Sequence, residues 1–479
     1  MKRRVTLTSI ILLFITFQGM TQTPIEGMDR KMDSLFSHYN AETPGVSVAV
    51  VKDGKIVFTK GYGRANLEYG IPNTPQTVFQ IASVSKQFTA FAIYLLEKQG
   101  KLSFEDDIRK YIPELPQYGK TIKIKYLLAH TSGLRDQAAL LALAGWQVED
   151  VITTDQILKV ALKQKELNFE TGTTFGYSNT GYTLLAKIAE RITGQSFADF
   201  TRKNIFEPLG MTNTQIYDDY HAIVKNRAHS YEKRNDAYVK VELNCSNAGP
   251  SGVLTTVEDM AKWVNNFDHP KAGDSKLIAE FNKISLLDNA EPVVWSAREG
   301  DTTYHAKGQL HWRYRGLHVI SHGGHTAGFR AGLTRFPENN FSVIALSNDE
   351  HYDILGIAKK IIGFYLKDEL EEEANTANPI INETKNQTAN YNINLNDFKG
   401  DYYSDELTTG YSIKVNKDKV TMTHHRLSDI ELTRIGENKF SGINSFAFEI
   451  EFVKSGKEIT GFTISNFGAK NVKFRRVRS

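Results

Sequence analysis

Strand-like runs open and close the first 365 residues of this chain, and most of what lies between them reads as helix. Gly45 to Gly61 alternates apolar and polar residues around Asp53-Gly54, a dipeptide suited to the tight reversal of a hairpin. Alternation returns from Leu310 to Leu346, with Pro337-Glu338-Asn339-Asn340 as a turn between Phe336 and Phe341. From about Ser83 to Val264 the apolar period is mostly helical, with capping signals such as Ser103-Phe104-Glu105-Asp106. A further helical run, Ile354 to Tyr365, follows. This order predicts an α/β unit whose sheet uses both ends of the segment, with a helical part inserted and a cleft between the two.

Ser83-Val84-Ser85-Lys86 heads an apolar helical run, Phe88, Phe91, Leu95 and Leu96, that ends at Gly100. Side chains three apart on a helix share a face. Lys86 can therefore take the Ser83 proton, provided burial or nearby charge keeps its amine neutral. That is the chemistry of an acyl-enzyme hydrolase. A second Ser-x-x-Lys, Ser230-Tyr231-Glu232-Lys233, starts no buried helix and reads as a polar surface pair. Ser83 has partners downstream. Tyr177-Ser178-Asn179 lies in a turn-like stretch ahead of the helical run Leu184 to Ile192, and His322-Gly323-Gly324-His325 follows the strand-like Leu317 to Ile320. A phenol near a protonated lysine loses its proton more easily, an asparagine both donates and accepts, and glycines let a substrate approach the backbone. Singly these segments read as a core tyrosine, a loop asparagine and a glycine turn. In this order, about 95 and 145 residues apart, they form a set.

The set resembles that of the penicillin-recognising serine hydrolases, in the branch of class C β-lactamases, DD-peptidases, D-aminopeptidases and related esterases. The resemblance covers residues 30 to 365 and extends to Thr43-Pro44-Gly45-Val46, Leu127 to Leu134, Pro208-Leu209-Gly210-Met211 and Gly252 to Thr256. It implies a β-lactamase-like fold, an antiparallel sheet plus an inserted all-α subdomain. It implies catalysis by Ser83, Lys86 and Tyr177, with the last two sharing the work of base and acid, and no cofactor. Asn179, His322, Gly324 and His325 would bind substrate, and the backbone N–H groups of Ser83 and His325 would form the oxyanion hole. A coupled Lys86–Tyr177 pair predicts a bell-shaped pH profile. His322 stands where many members carry lysine, so its pull on an anionic substrate should be weaker and pH-dependent. Leu140 to Trp146 is apolar for a loop near a cleft, or else a turn of core helix. Both features favour an ester or a D-residue peptide as substrate. The alternatives are hydrolysis of β-lactam rings, or a non-catalytic penicillin-binding-like protein.

The rest of the chain sets the context. A net charge of +3 with 24% charged residues does not suggest nucleic acid as a partner. Cys245 is the only cysteine, so no internal disulfide can form. His322 and His325 have no third ligand at metal spacing, so no metal is expected. Lys2-Arg3-Arg4, the apolar run Val5 to Phe17 and polar Thr21-Gln22-Thr23 read as a secretory signal peptide over residues 1–22. That predicts a bacterial protein in the periplasm or secreted, with no membrane span after signal removal. The hydrolase domain is expected over 25–367, followed by an acidic, then Asn- and Thr-rich linker at 368–392. Short alternating runs over 393–479 predict a small antiparallel β-barrel, similar to the lipocalin-like domains appended to some family members. A packing or oligomerisation role is preferred there over a ligand-binding barrel. His424-His425 reads as a surface pair, and Lys473 to Arg478 as a solvated strand edge. The linker predicts few contacts between the units, so that a chain cut after Tyr365 keeps activity.

Overall fold

The computed structural model describes residues 27–372 and 394–477, except 243, 299, 300 and 457. The signal-peptide expectation and most of the linker lie outside the described residues. The main sheet has eight antiparallel strands. Val46–Lys52 (β1) and Lys55–Tyr62 (β2) come early, and Val294–Arg298 (β3), Asp301–Ala306 (β4), Gln309–Tyr314 (β5), Leu317–Thr326 (β6), Phe329–Phe336 (β7) and Phe341–Ser347 (β8) come late. Their order, β3-β4-β5-β6-β7-β8-β1-β2, joins the two segments where Val46 pairs with Ser347 and Lys52 with Phe341. Period-two alternation sorts the faces. Val46, Val48 and Val50 meet Met32, Ile361 and Ile362 on one side, while Ala49 and Val51 meet the inserted helical part on the other. Burial on both faces is why β1 and β8 read as almost unbroken apolar runs.

The insert holds Lys86–Lys98 (α1), Gln137–Leu143 (α2), Asn179–Thr193 (α3) and Val257–Asn265 (α4), and Ile354–Tyr365 (α5) closes the unit. Every residue of α1 from Lys86 to Leu96 is buried, so this helix is the core of the insert. The insert is less regular than its sequence predicts. Ser103 to Asp106 forms a turn, with Ser103 N donating to Asp106 Oδ2 at 2.9 Å and Glu105 N to Ser103 Oγ at 3.2 Å. A capping pattern without an apolar face behind it does not propagate a helix.

Eight further strands close into a barrel: Gly400–Ser404 (β9), Thr409–Asn416 (β10), Lys419–His424 (β11), Leu427–Arg434 (β12), Lys439–Ile443 (β13), Ala447–Ser455 (β14), Glu458–Asn466 (β15) and Val472–Val477 (β16). Phe398, Tyr402, Tyr411, Phe440, Phe452, Phe462 and Phe474 fill its interior, none more than 2% exposed. The inside is therefore packed with side chains rather than hollow. Closure also removes the expected strand edge, because β16 pairs with β9 on one side and β15 on the other.

The barrel takes α2 into its own core. Ala139, Leu140, Leu143 and Ala144 share a buried cluster with Phe398, Tyr411 and Phe474, and the Tyr411 hydroxyl donates to Leu143 O at 2.9 Å. His424 is a docking contact and not a surface residue. It lies against Gly145, where a β-carbon would come within 2.1 Å of the ring, and its Nε2 meets Thr409 Oγ1 at 2.8 Å. Arg426 forks the Asp150 carboxylate at 2.6 and 2.7 Å. The expectation of few crossing contacts fails, because linker composition reports on the linker and not on the surfaces it joins. Among the described residues no helix is long and apolar enough to cross a membrane.

Candidate active site

A 3-10 turn, Ala82–Ser85, leads into α1 through Ala82 at φ 46°, a conformation that a β-carbon disfavours. It presents Ser83 partly exposed while Lys86, one turn on, is fully buried. Lys86 Nζ donates to Ser83 Oγ at 3.2 Å, to Asn179 Oδ1 at 2.8 Å and to the carbonyl of Pro250 at 2.8 Å. Ser83 Oγ and Tyr177 OH lie 2.8 Å apart. Burial pulls the Lys86 ammonium down to about 7, with Asp136 opposing. Three acceptors match the three protons of the ammonium. The neutral amine gives up one of these bonds and can turn its lone pair to Ser83. The sequence predicted that a protonated lysine would lower the Tyr177 phenol. Burial wins instead and pushes it above its ordinary value, with Ser83 opposing, so the phenol keeps its proton.

Ser178 caps α3, placing Tyr177 and Asn179 on either side of the cap. Asp136 then fixes Asn179. Its Oδ2 accepts from Asn179 N at 2.6 Å and Nδ2 at 2.9 Å, which leaves the Asn179 carbonyl for Lys86. Its Oδ1 caps α2 through Ala138 N at 2.8 Å and Ala139 N at 3.2 Å. Burial pushes the Asp136 carboxyl up against these donors and Lys86. The barrel holds Asp136 in turn, since Gly468 O accepts its backbone N–H at 2.7 Å. Arg135, with a side chain 0% exposed, bridges the same two units through Glu406 Oε2 at 2.7 Å, Gln164 Oε1 at 2.9 Å and Asn471 O at 3.2 Å. Neither Arg135 nor Asp136 stood out in the sequence. An Asp ahead of an apolar run signals a helix cap, which is half of what Asp136 does.

The His322 to His325 motif lies within the continuous strand β6 rather than in a turn. Gly324 is required there, because a β-carbon would sit 2.2 Å from Ile81 O. The strand thus abuts the Ala82–Ser85 turn, and Ser83 and His325 line one cleft. His322 Nδ1 donates to Gly323 O at 2.6 Å, leaving Nε2 as an acceptor with no partner among the described residues. Burial pulls His322 down to about 4, with Lys86 pushing the same way. It is therefore neutral throughout the physiological range, which removes the pH-dependent pull predicted near pH 7. No spacing in the sequence links Tyr177 to His130 and Trp295, whose rings frame it, or to His305, which lies against His130. The His130 ring lies 4.4 Å from the Tyr177 ring and 4.9 Å from that of His305, and Trp295 lies 5.4 Å from Tyr177. His130 Nδ1 accepts from Ser178 N at 3.1 Å.

The cleft has a volume of about 270 Å³, and Leu141, Trp146, Ile152 and Pro250 form much of its wall. The barrel supplies Ser445 and Phe446 to the same wall. No Asp, Glu, Lys or Arg lines it among the described residues. The apolar segment 140–146 thus divides, with Leu140 and Leu143 facing the barrel and Leu141, Ala142 and Trp146 facing the cleft. Cys245 also borders it, but burial pushes its thiol up to about 11, which keeps it unreactive. The second Ser-x-x-Lys is not a surface pair. Ser230 is buried, accepting from Gly328 N at 3.2 Å and donating to Val241 O, while Lys233 lies on a strand and pairs with Asp236 at 3.1 Å. Among the described residues no group of three His, Cys, Asp or Glu side chains is placed to hold a metal.

A family model described as Beta-lactamase matches residues 32–359, more than half of the chain. Protein flp of Staphylococcus aureus (strain MRSA252) is 28% identical over 331 residues, 67% of this chain and 62% of that protein. The chain thus spans about three fifths of the length of the flp relatives it matches. Penicillin-binding protein 4* of Bacillus subtilis (strain 168) is 29% identical over 327 residues, 64% of this chain and 68% of its own. The octameric penicillin-binding protein homologue from Pyrococcus abyssi superposes with a TM-score of 0.62 at 22% identity. That match covers 93% of this chain and 98% of the homologue.

Proposed function

Because the chain belongs to the beta-lactamase family, whose members are serine hydrolases, we propose that it hydrolyses an ester or a D-residue peptide through an acyl-enzyme on Ser83. The observation that carries this reading is the hydrogen-bonded set of Ser83, Lys86 and Tyr177 at an apolar cleft without charged walls. Neutral Lys86 takes the Ser83 proton as Oγ attacks the carbonyl carbon. The oxyanion forms between the backbone N–H groups of Ser83 and His325, a role the family resemblance implies. As the tetrahedral adduct collapses, the leaving group takes the Tyr177 proton, and the Lys86 ammonium restores the phenol. Water then attacks the acyl carbonyl with the same groups in reverse, freeing the acid and Ser83.

The uncharged cleft and neutral His322 support a substrate without a carboxylate at the reacting end, an ester ahead of an anionic β-lactam. The test is a panel of short aryl esters, D-Ala-D-Ala peptides and a chromogenic cephalosporin. Ester turnover through acylated Ser83 is expected to lead. Near-diffusional kcat/KM on the cephalosporin without esterase activity would overturn the reading. Export belongs to the same proposal, on the basic and then apolar start Lys2 to Phe17. Its check is the N-terminal residue of protein recovered from the periplasm or medium, expected near position 23.

A further inference from the structure

A groove of about 720 Å³ runs along the outside of the barrel, between β12 and the strands β13 to β15. It exists because β12 and β13 stay paired only at Thr433–Ser441 and Arg434–Phe440, so the earlier part of β12 splays away. Two large apolar side chains stand in it exposed to solvent, Ile443 at 73% and Phe467 at 63%. Three carboxylates line it, Asp429, Glu431 and Glu449; Lys470 stands in the same lining, and Lys419 from the neighbouring strand pairs with Glu431 at 3.4 Å, which leaves an excess of negative charge. A side pocket that combines exposed apolar surface with an acidic wall is unusual on a domain whose role is packing.

The groove begins where the catalytic cleft ends. The turn between β13 and β14 serves both: Ser445 and Phe446 line the cleft beside Ser83, while Ile443 and Ala447 line the groove. The rings of Phe446 and Phe467, 4.8 Å apart edge to face, form the step from one to the other. We propose that the groove is a distal subsite of the same enzyme, holding the extension of a linear substrate whose carbonyl lies at Ser83. Its chemistry calls for an apolar residue against Ile443 and Phe467, followed outward by a basic one opposite the carboxylates. The proposal rests on the hydrolase reading above.

The test uses p-nitrophenyl acetate and a series of D-alanine p-nitrophenyl esters lengthened at the amino end by Gly, Leu-Gly and Lys-Leu-Gly. Each added residue extends the reach by about 3.3 Å. The wild-type protein should hydrolyse the longest ester with kcat/KM at least about tenfold above the shortest, mostly through KM, and replacing its Lys by Glu should erase part of that gain. The double variant Ile443→Ser, Phe467→Ser changes exposed positions outside the cleft. It should lose the gain while keeping p-nitrophenyl acetate turnover, and Asp429→Lys should lose the preference for the basic end. A gain that survives in the double variant, or acetate turnover with no dependence on length, overturns the subsite alone. Turnover of no ester at all overturns the hydrolase reading and the subsite with it.

Discussion

Removing Glu406, a barrel residue, should weaken the catalytic unit. Its Oε2 accepts from Arg135 Nη1 at 2.7 Å and from Lys165 N at 2.9 Å, and both charged side chains are buried, 0% and 4% exposed. In Glu406→Ala the guanidinium keeps only neutral acceptors on Gln164 and Asn471, with the half-exposed Glu166 carboxylate 3.9 Å away as a partial substitute. Breaking a buried pair by deleting one partner costs about 3–5 kcal/mol. Glu166 offsets part of that, so a loss of about 3 kcal/mol is expected, a large share of a typical folding free energy of about 5–15 kcal/mol. Arg135 directly precedes Asp136, which orients Asn179 and through it Lys86. Turnover of an aryl ester should therefore fall on the order of tenfold or more. The double variant Arg135→Met, Glu406→Leu removes both charges and should recover most of the stability. Urea unfolding with an unchanged m-value is the assay, and the cycle should give a coupling of about 2 kcal/mol or more. Single variants that each cost under about 1 kcal/mol, with additive effects, would refute the account.

Ser83→Ala should lower kcat by about 10³ to 10⁶, and a fluorophosphonate should label Ser83; a label mapped to buried Ser230 would reverse the assignment. Tyr177→Phe should stay folded by circular dichroism while losing most turnover, and near wild-type rates would remove the phenol from the mechanism. With Lys86 as base, kcat/KM on a neutral ester should rise with pH through about 7 as the amine loses its proton. Burial holds the Tyr177 phenol above its ordinary value of about 10, so the alkaline limb of the expected bell moves out of the usual range. Lys86 also binds its proton less tightly folded than unfolded, so stability should rise between pH about 7 and about 10, a slope that Lys86→Met should remove. Finally, a chain ending at residue 372 exposes Leu140 and Leu143 and loses the Gly468 bond to Asp136. It should be poorly soluble or inactive on aryl esters, and full activity would show that the barrel is dispensable.

What was legible in the sequence was local. Ser83 and Lys86 share a helical turn, so their spacing announced them, and strand-like runs bounded by turn residues foretold β1, β8 and the barrel strands. Relations between distant segments were not legible. Leu140 and Leu143 looked buried, but periodicity could not say that their partner lies some 260 residues downstream in the barrel. Trp295 on β3 reaches Tyr177, and His305 on β4 reaches it only through His130, and no spacing rule connects these residues. The Ser230 copy shows the converse, since three residues along a strand put its serine and lysine on opposite faces. The tautomer of His322 depends on one carbonyl, that of Gly323, which sequence cannot orient.

The ladder between β1 and β8 also sets a timetable. Val46 must wait for Ser347 before its strand has both neighbours. At a synthesis rate of about 5–20 residues per second that wait is about 15–60 s, far longer than a hairpin needs to form. Helix α2 waits longer still, since the barrel core that covers Leu140 includes Phe474. A nascent chain therefore carries an unpaired strand edge and an uncovered apolar helix for most of its synthesis, and helix α1 can be complete long before the sheet behind it. Early release or premature cleavage of the chain should yield aggregates rather than a smaller working enzyme, and a holding factor that shields α2 until the last strand arrives should raise the yield.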